Sequence, residues 1–271
     1  MAEVVTQSTA GIECIAIDWS GAVTGAASRI WLASARDGVL TQLDAPGSRD
    51  SVRETLLARR QLDEPVLAGL DFAFGLPAWY AAERGWRDID AVWRAVCDEG
   101  ESWLRLCAPP FWGRPGTRRP HDAALGHREC ERRHANGVQP KSVFQVGGAG
   151  SVGTGSIRGM PMLTVLRTAG WAVWPFDAAA SHTVVEIWPR LFTGAVVKSS
   201  AAAREAWLAR HHPAVVPEFR AIMVRSEDAF DAGLSAIGMS EMSLAEALAV
   251  PRDPLTMIEG AICAPAATDG R

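Results

Sequence analysis

Two short apolar runs that each stop on an aspartate constrain this chain more than any other feature. Ile12-Glu13-Cys14-Ile15-Ala16-Ile17 closes on Asp18 and the turn-prone Ser20-Gly21, and Val66-Leu67-Ala68-Gly69-Leu70 closes on Asp71. Runs of this length and character read as buried strands. Between them lie a strand-like stretch at 29–35, the tight turn Arg36-Asp37-Gly38, a further run at 39–43, and a helical pattern over 51–62 that Ser48 or Asp50 can cap. Three strands, a helix and a fourth strand form an antiparallel meander, and the crossover then returns the fourth strand parallel to the first. The expected fold class is α/β, with a mixed sheet that is antiparallel over its first three strands, parallel thereafter, and flanked by helices. Asp18 and Asp71 then leave neighbouring strands at the same end, with backbones about one strand spacing (~4.8 Å) apart.

The rest of the chain reads as an elaboration of that sheet. Residues 77–165 are the least regular part, with helical stretches around 86–106 and 121–135 and a glycine-rich run over 146–155. We read them as a helical and loop insertion in a single domain spanning 1–271, a length compatible with one large core. A helix near 159–169, strands near 171–175 and 183–187, helices at 200–211 and from Ser226 through Ala236, and a final apolar run over Met257–Cys263 complete the pattern. Trp79, Trp86, Trp93 and Trp103 recur at intervals suited to the buried side of helices, which favours core packing over a base-stacking platform. The five cysteines are scattered with no Cys-x-x-Cys pair, which fits a reducing compartment. With no signal-peptide pattern and no apolar run of roughly 20 residues, the expected location is cytoplasmic, with no membrane partner.

The chemistry is carried by carboxylates. Asp18 and Asp71 end strands, Glu186 lies near the end of another, and Asp228 and Asp231 are three apart at the start of a helix and share a face. Glu227 competes with Asp228, since it also shares a face with Asp231. Singly, such residues cap turns or sit in the first turn of a helix. Together their charges repel unless a cation or proton neutralises them. Two divalent ions about 4 Å apart on such a set drive attack of water on a phosphodiester. Oxygen ligands favour Mg²⁺ or Mn²⁺ over Zn²⁺. The expected catalytic and metal-binding residues are therefore Asp18, Asp71, Glu186, Asp228 and Asp231.

Ile17-Asp18-Trp19-Ser20-Gly21, Gly69-Leu70-Asp71-Phe72-Ala73-Phe74-Gly75-Leu76-Pro77, Glu186-Ile187-Trp188-Pro189-Arg190 and Glu227-Asp228-Ala229-Phe230-Asp231-Ala232 resemble, in that order, the motifs of domain of unknown function 429, a family described as predicted RNase H-like nucleases. The resemblance spans about residues 12–263, loosely in the middle. Asp228-x-x-Asp231-Ala232 is also similar to the closing helix of Holliday-junction resolvases. The resemblance implies a ribonuclease H-like fold and metal ligands at these positions; the family's activity is itself inferred from fold and motif.

The net charge of −4 gives no bulk attraction to nucleic acid, so such a partner needs a local patch. Residues 111–145 hold seven basic side chains against three acidic ones. Arg114, Arg118 and Arg119 there, and Arg190 and Lys198 further on, are candidate contacts to substrate phosphate, competing with a self-paired surface. The glycine-rich run reads as a connector, and lacks the Gly-Lys-Ser/Thr of a P-loop. His127, Cys130 and His134, with His121, match no standard zinc spacing. The sequence thus points to a metal-dependent nuclease or phosphodiesterase acting on nucleic acid or a nucleotide. An actin-like phosphotransferase or ATPase and a non-catalytic binding module of the same fold are the alternatives.

Overall fold

The computed structural model describes residues 11–119, 123–134, 140–148, 150–248 and 253–265. Its strands are β1 (Glu13–Asp18), β2 (Trp31–Arg36), β3 (Val39–Asp44), β4 (Val66–Leu70), β5 (Ala172–Val173), β6 (His182–Ile187) and β7 (Ile262–Cys263). They form one seven-stranded sheet in the order β3-β2-β1-β4-β6-β5, with β7 also on β6. The β1–β2 and β2–β3 pairings are antiparallel, and every later pairing is parallel. The mixed α/β sheet expected from the strand order is therefore present.

The helices are α1 (Arg49–Arg59), α2 (Ala78–Glu83), α3 (Ile89–Leu106), α4 (Glu129–Arg133), α5 (Val152–Thr168), α6 (Arg190–Thr193), α7 (Ala201–His211), α8 (Pro217–Arg225), α9 (Glu227–Glu241), α10 (Leu244–Ala247) and α11 (Thr256–Glu259). Hydroxyl caps start three of them: Ser48, Ser200 and Ser226 each accept a hydrogen bond from the backbone N–H three residues on. Residues 121–135 do not form one helix. Their described part holds a 3₁₀ turn at Ala123–Gly126 and the short α4, while His121 and Asp122 lie outside the described residues. Among the described residues no helix is long and apolar enough to cross a membrane.

Side-chain alternation gives the sheet two faces. Ile15, Ile17, Val66, Ala68, Leu70 and Val184 share a core with Val52 and Leu56 of α1, Val92 and Val96 of α3, and Ile157 and Leu163 of α5. Cys14, Ala16, Ala33, Leu67, Val185 and Ile187 share the other core with Phe230, Leu234 and Ile237 of α9. Helix α9 lies across β1 and β2 on this second face. The tryptophans of the insertion are core: Trp86 and Trp103 stack at 5.9 Å beside Tyr80, and Trp93 Nε1 donates to the Phe74 carbonyl at 2.8 Å.

Helix α5 begins seven residues before the expected 159 and takes in Gly153 and Gly155 of the run read as a connector. Glycine in and around this helix serves close approach. A Cβ on Gly153 would lie on the carbonyl oxygen of Val143, one on Gly21 would meet the backbone of Thr154 and Gly155, and one on Gly159 would stand 2.7 Å from the Phe72 ring. Gly→Ala in a helix normally stabilises by about 1 kcal/mol. Because the obstacle at Gly153 is backbone, we expect Gly153→Ala to destabilise instead, by about 1–3 kcal/mol. A lowered urea midpoint at unchanged slope is the expected result, and a raised midpoint contradicts the packing.

Candidate active site

The parallel registers decide which carboxylates meet. Ile17 pairs with Leu70, and Leu70 pairs with Glu186. Asp18 and Asp71 each follow a paired residue, and the Asp71 N–H donates to the Ile17 carbonyl at 3.0 Å, so both turn to the α9 face. Helix α9 brings Asp228 and Asp231 to that face from its first turns. Asp18, Asp71 and Asp228 line a cleft of about 420 Å³ with Trp19, Ser20, Gly21, Arg29 and the start of α5. Asp231 is 6% exposed. Its Oδ2 is ion-paired with Lys198 Nζ, while its Oδ1 is buried with no hydrogen-bond partner. Glu227, the competitor of Asp228, is exposed.

Glu186 departs from the expectation. In register with Leu70 instead of Asp71, it takes the opposite face of the sheet and finds a cation there. Arg128, fully buried on the α4 side, donates through Nη1 to Glu186 Oε2 at 2.8 Å and through Nη2 to Oε1. Its Nε reaches Glu131 at 3.0 Å and its Nη1 the Glu259 carbonyl at 2.9 Å. Glu186 Oε2 also accepts from the Phe74 N–H at 2.9 Å, and Ser156 Oγ accepts from the Ala73 N–H at 3.0 Å. Both oxygens of Glu186 are thus engaged by Arg128, and Oε2 also fixes the backbone just after Asp71. The structure ties Glu186 to the backbone that carries Asp71, with Arg128 shared between it and Glu131.

Lys198 was a candidate phosphate contact; the structure gives it to Asp231 instead. Its loop is anchored by Arg204 of α7, a buried residue the sequence did not single out. Arg204 donates to the carbonyls of Lys198, Val224 and, at 3.1 Å, Met223. The other basic candidates stand apart from the cleft lining. Arg114 and Arg118 are exposed, Arg119 lies 5.6 Å over the Trp112 ring, and Arg190 donates to the Val196 carbonyl at 3.0 Å. Arg132 and Arg133 pair with Glu129, so much of the 111–145 charge is self-compensated. The arginines near the acidic cleft come from elsewhere. Arg29 lines it. Arg49 donates to the carbonyls of Ser20 and Ala22 at 3.1 and 3.0 Å, and Arg158 donates to that of Gly21. With Arg53 and Trp19, Arg49 and Arg158 also line an adjoining groove of about 180 Å³. Their scatter over β1–β2, α1 and α5 left no local signal. Of the histidine and cysteine group, His127 Nε2 is bonded to the Pro140 carbonyl at 3.0 Å, and burial holds the Cys130 thiol protonated.

Burial, aided by neighbouring carboxylates, favours the protonated form of all four aspartates. Burial first, then Asp71, Asp231 and Asp228, raise Asp18 well above the ordinary aspartate range. Burial and Asp231 push Asp71 from 3.8 to about 8 against the pull of Lys198. Burial lifts Asp231 to about 6, with Lys198 again opposing, and burial and Glu227 raise Asp228. Among the described residues no three His, Cys, Asp or Glu side chains already stand as a metal-holding set. The donor chemistry nonetheless suits a hard cation: all-oxygen ligands and one orphaned carboxylate oxygen.

Comparisons of the chain with protein-family models, with curated proteins and with solved structures each returned no match. The site's own geometry carries the functional argument.

An aspartate raised in the folded state keeps its proton at pH values where the unfolded chain has lost it. Without metal, the folded protein therefore binds more protons than the unfolded chain from about pH 4 up to the raised values, and these groups make stability fall as pH rises through that window. Thermal melts of metal-free protein across about pH 5 to about pH 8 should show a shallower decline in Asp71→Asn than in the parent. Identical slopes contradict the assignment.

Proposed function

We propose that the protein is a divalent-metal-dependent phosphodiester hydrolase of ribonuclease H-like fold, acting on nucleic acid or a nucleotide. The observation that carries this reading is the unpartnered, buried Oδ1 of Asp231 beside the mutually repelling Asp18 and Asp71. A buried carboxylate oxygen with no donor is costly, and a bound cation removes that cost. The order of strands and the positions of Asp18, Asp71, Asp228 and Asp231 agree with the resemblance to the predicted RNase H-like nucleases.

Asp18, Asp71, Asp228 and Asp231 would hold Mg²⁺ or Mn²⁺. When bound, the ion supplies positive charge at the scissile phosphate and lowers the pKa of water near it. The side chains do the positioning. Asp71, its backbone fixed through Glu186 and Ser156, and Asp18, on the adjacent strand, present oxygens from one edge of the cleft. Asp228 closes the facing side. Arg29 at the rim would meet a non-bridging phosphate oxygen, and Arg49, which braces loop 20–22 with the Glu101-paired Arg158, adds positive potential beside it. Trp19, its Nε1 held by the Gly155 carbonyl at 3.0 Å, forms an apolar wall against which a base can rest.

Incubation with single-stranded and duplex DNA and RNA tests the proposal. We expect cleavage of at least one of them with Mn²⁺ or Mg²⁺, abolished by chelation and reduced about 10²–10³-fold in Asp18→Asn, as for loss of a group that stabilises transition-state charge. No cleavage, with protection from thermal unfolding by ATP, would overturn the hydrolase in favour of the actin-like phosphotransferase.

A further inference from the structure

Four aspartates converge on the α9 side of the cleft, and one ammonium group already stands among them. Lys198 Nζ is ion-paired with Asp231 Oδ2, and its charge also acts on Asp18, Asp71 and Asp228. It does not reach in from a loose surface loop. Arg204, itself 5% exposed, grips the Lys198 carbonyl and ties it to the carbonyls of Met223 and Val224, just before α9. The loop carrying the lysine and the helix carrying Asp231 are thus joined through one buried guanidinium. Asp231 is left with one oxygen engaged and one free, and the free oxygen is nine-tenths buried beside the other acids.

A pair of divalent ions about 4 Å apart needs carboxylates with oxygens to spare for both, and brings four positive charges. Four aspartates neutralise that only if no other cation is present. With Lys198 in place the net charge of the set is −3 and Asp231 keeps a single oxygen for a metal, so a second divalent ion would have to displace the ammonium. We propose that Lys198 is a built-in substitute for a second cation, so that the site takes a single divalent ion. This inference rests on the metal reading above and adds its stoichiometry.

Titration calorimetry of Mn²⁺ into the metal-free protein, with electron paramagnetic resonance on the loaded sample, separates the possibilities. The parent should bind one Mn²⁺ per chain with an uncoupled spectrum. Lys198→Met, which keeps an apolar stem and removes the charge, should bind two, with exchange coupling between them, or bind the first at least tenfold more tightly. Lys198→Arg, which keeps the charge, should still bind one, and it serves as the test if Lys198→Met does not fold. Two coupled ions in the parent would overturn the proposal, as would unchanged stoichiometry and affinity in Lys198→Met or a second ion in Lys198→Arg. A parent that binds no Mn²⁺ would instead remove the metal reading on which the proposal rests.

Discussion

Like charge brought together at one end of one sheet face is the constraint around which this molecule is arranged. Parallel pairing of β1 with β4 sets Asp18 beside Asp71, and α9 crossing that face delivers Asp228 and Asp231. Nothing in the hydrophobic core requires aspartate at any of these four positions. Their cost is contained by Lys198, by residual access to solvent in the cleft and by protonation, burial being the main cause that raises Asp71 and Asp231. Such a set invites a further cation.

On the other face the opposite solution appears. Glu186, Glu131 and Arg128 are all buried, and they satisfy one another and the neighbouring backbone. Removing one partner from such a network leaves an uncompensated buried charge and costs about 3–5 kcal/mol. It ties α4 to β6 and to α11, through the Glu259 carbonyl, and pins the Phe74 N–H. The insertion is thereby welded to the strand end from which Asp71 projects. The buried Arg128–Glu131–Glu186 network and the acidic cleft thus meet at Asp71, which also lines the small cavity beside that network.

Much of this was legible beforehand, and the failures have physical causes. Strand order, the α/β class and the convergence of Asp18 with Asp71 followed from short apolar runs that end on acids. The strand carrying Glu186 was read almost to the residue, but its register against β4, which sets the face Glu186 takes and its meeting with Arg128, is fixed only by tertiary pairing. The glycines at 147–155 looked like a connector because glycine disfavours helix; the close approach of Gly153 to the Val143 carbonyl and of Gly155 to Trp19 and Gly21 exists only in three dimensions. Arg128 looked like part of a basic patch, yet it is buried. Arg29, Arg49 and Arg158 carried no pattern, since tertiary structure alone collects them. Lys198 was noticed as a candidate phosphate contact, and its ion pair with Asp231 had no signal in the sequence.

Anomalous diffraction at the manganese edge from crystals soaked in Mn²⁺ tests the central claim most directly. The account predicts manganese density bound through Asp231 Oδ1 together with Asp18 or Asp71, with Lys198 still against Asp231 and Glu186 still on Arg128. Absence of manganese among these aspartates, or manganese held by Glu186 with Arg128 displaced, would contradict it.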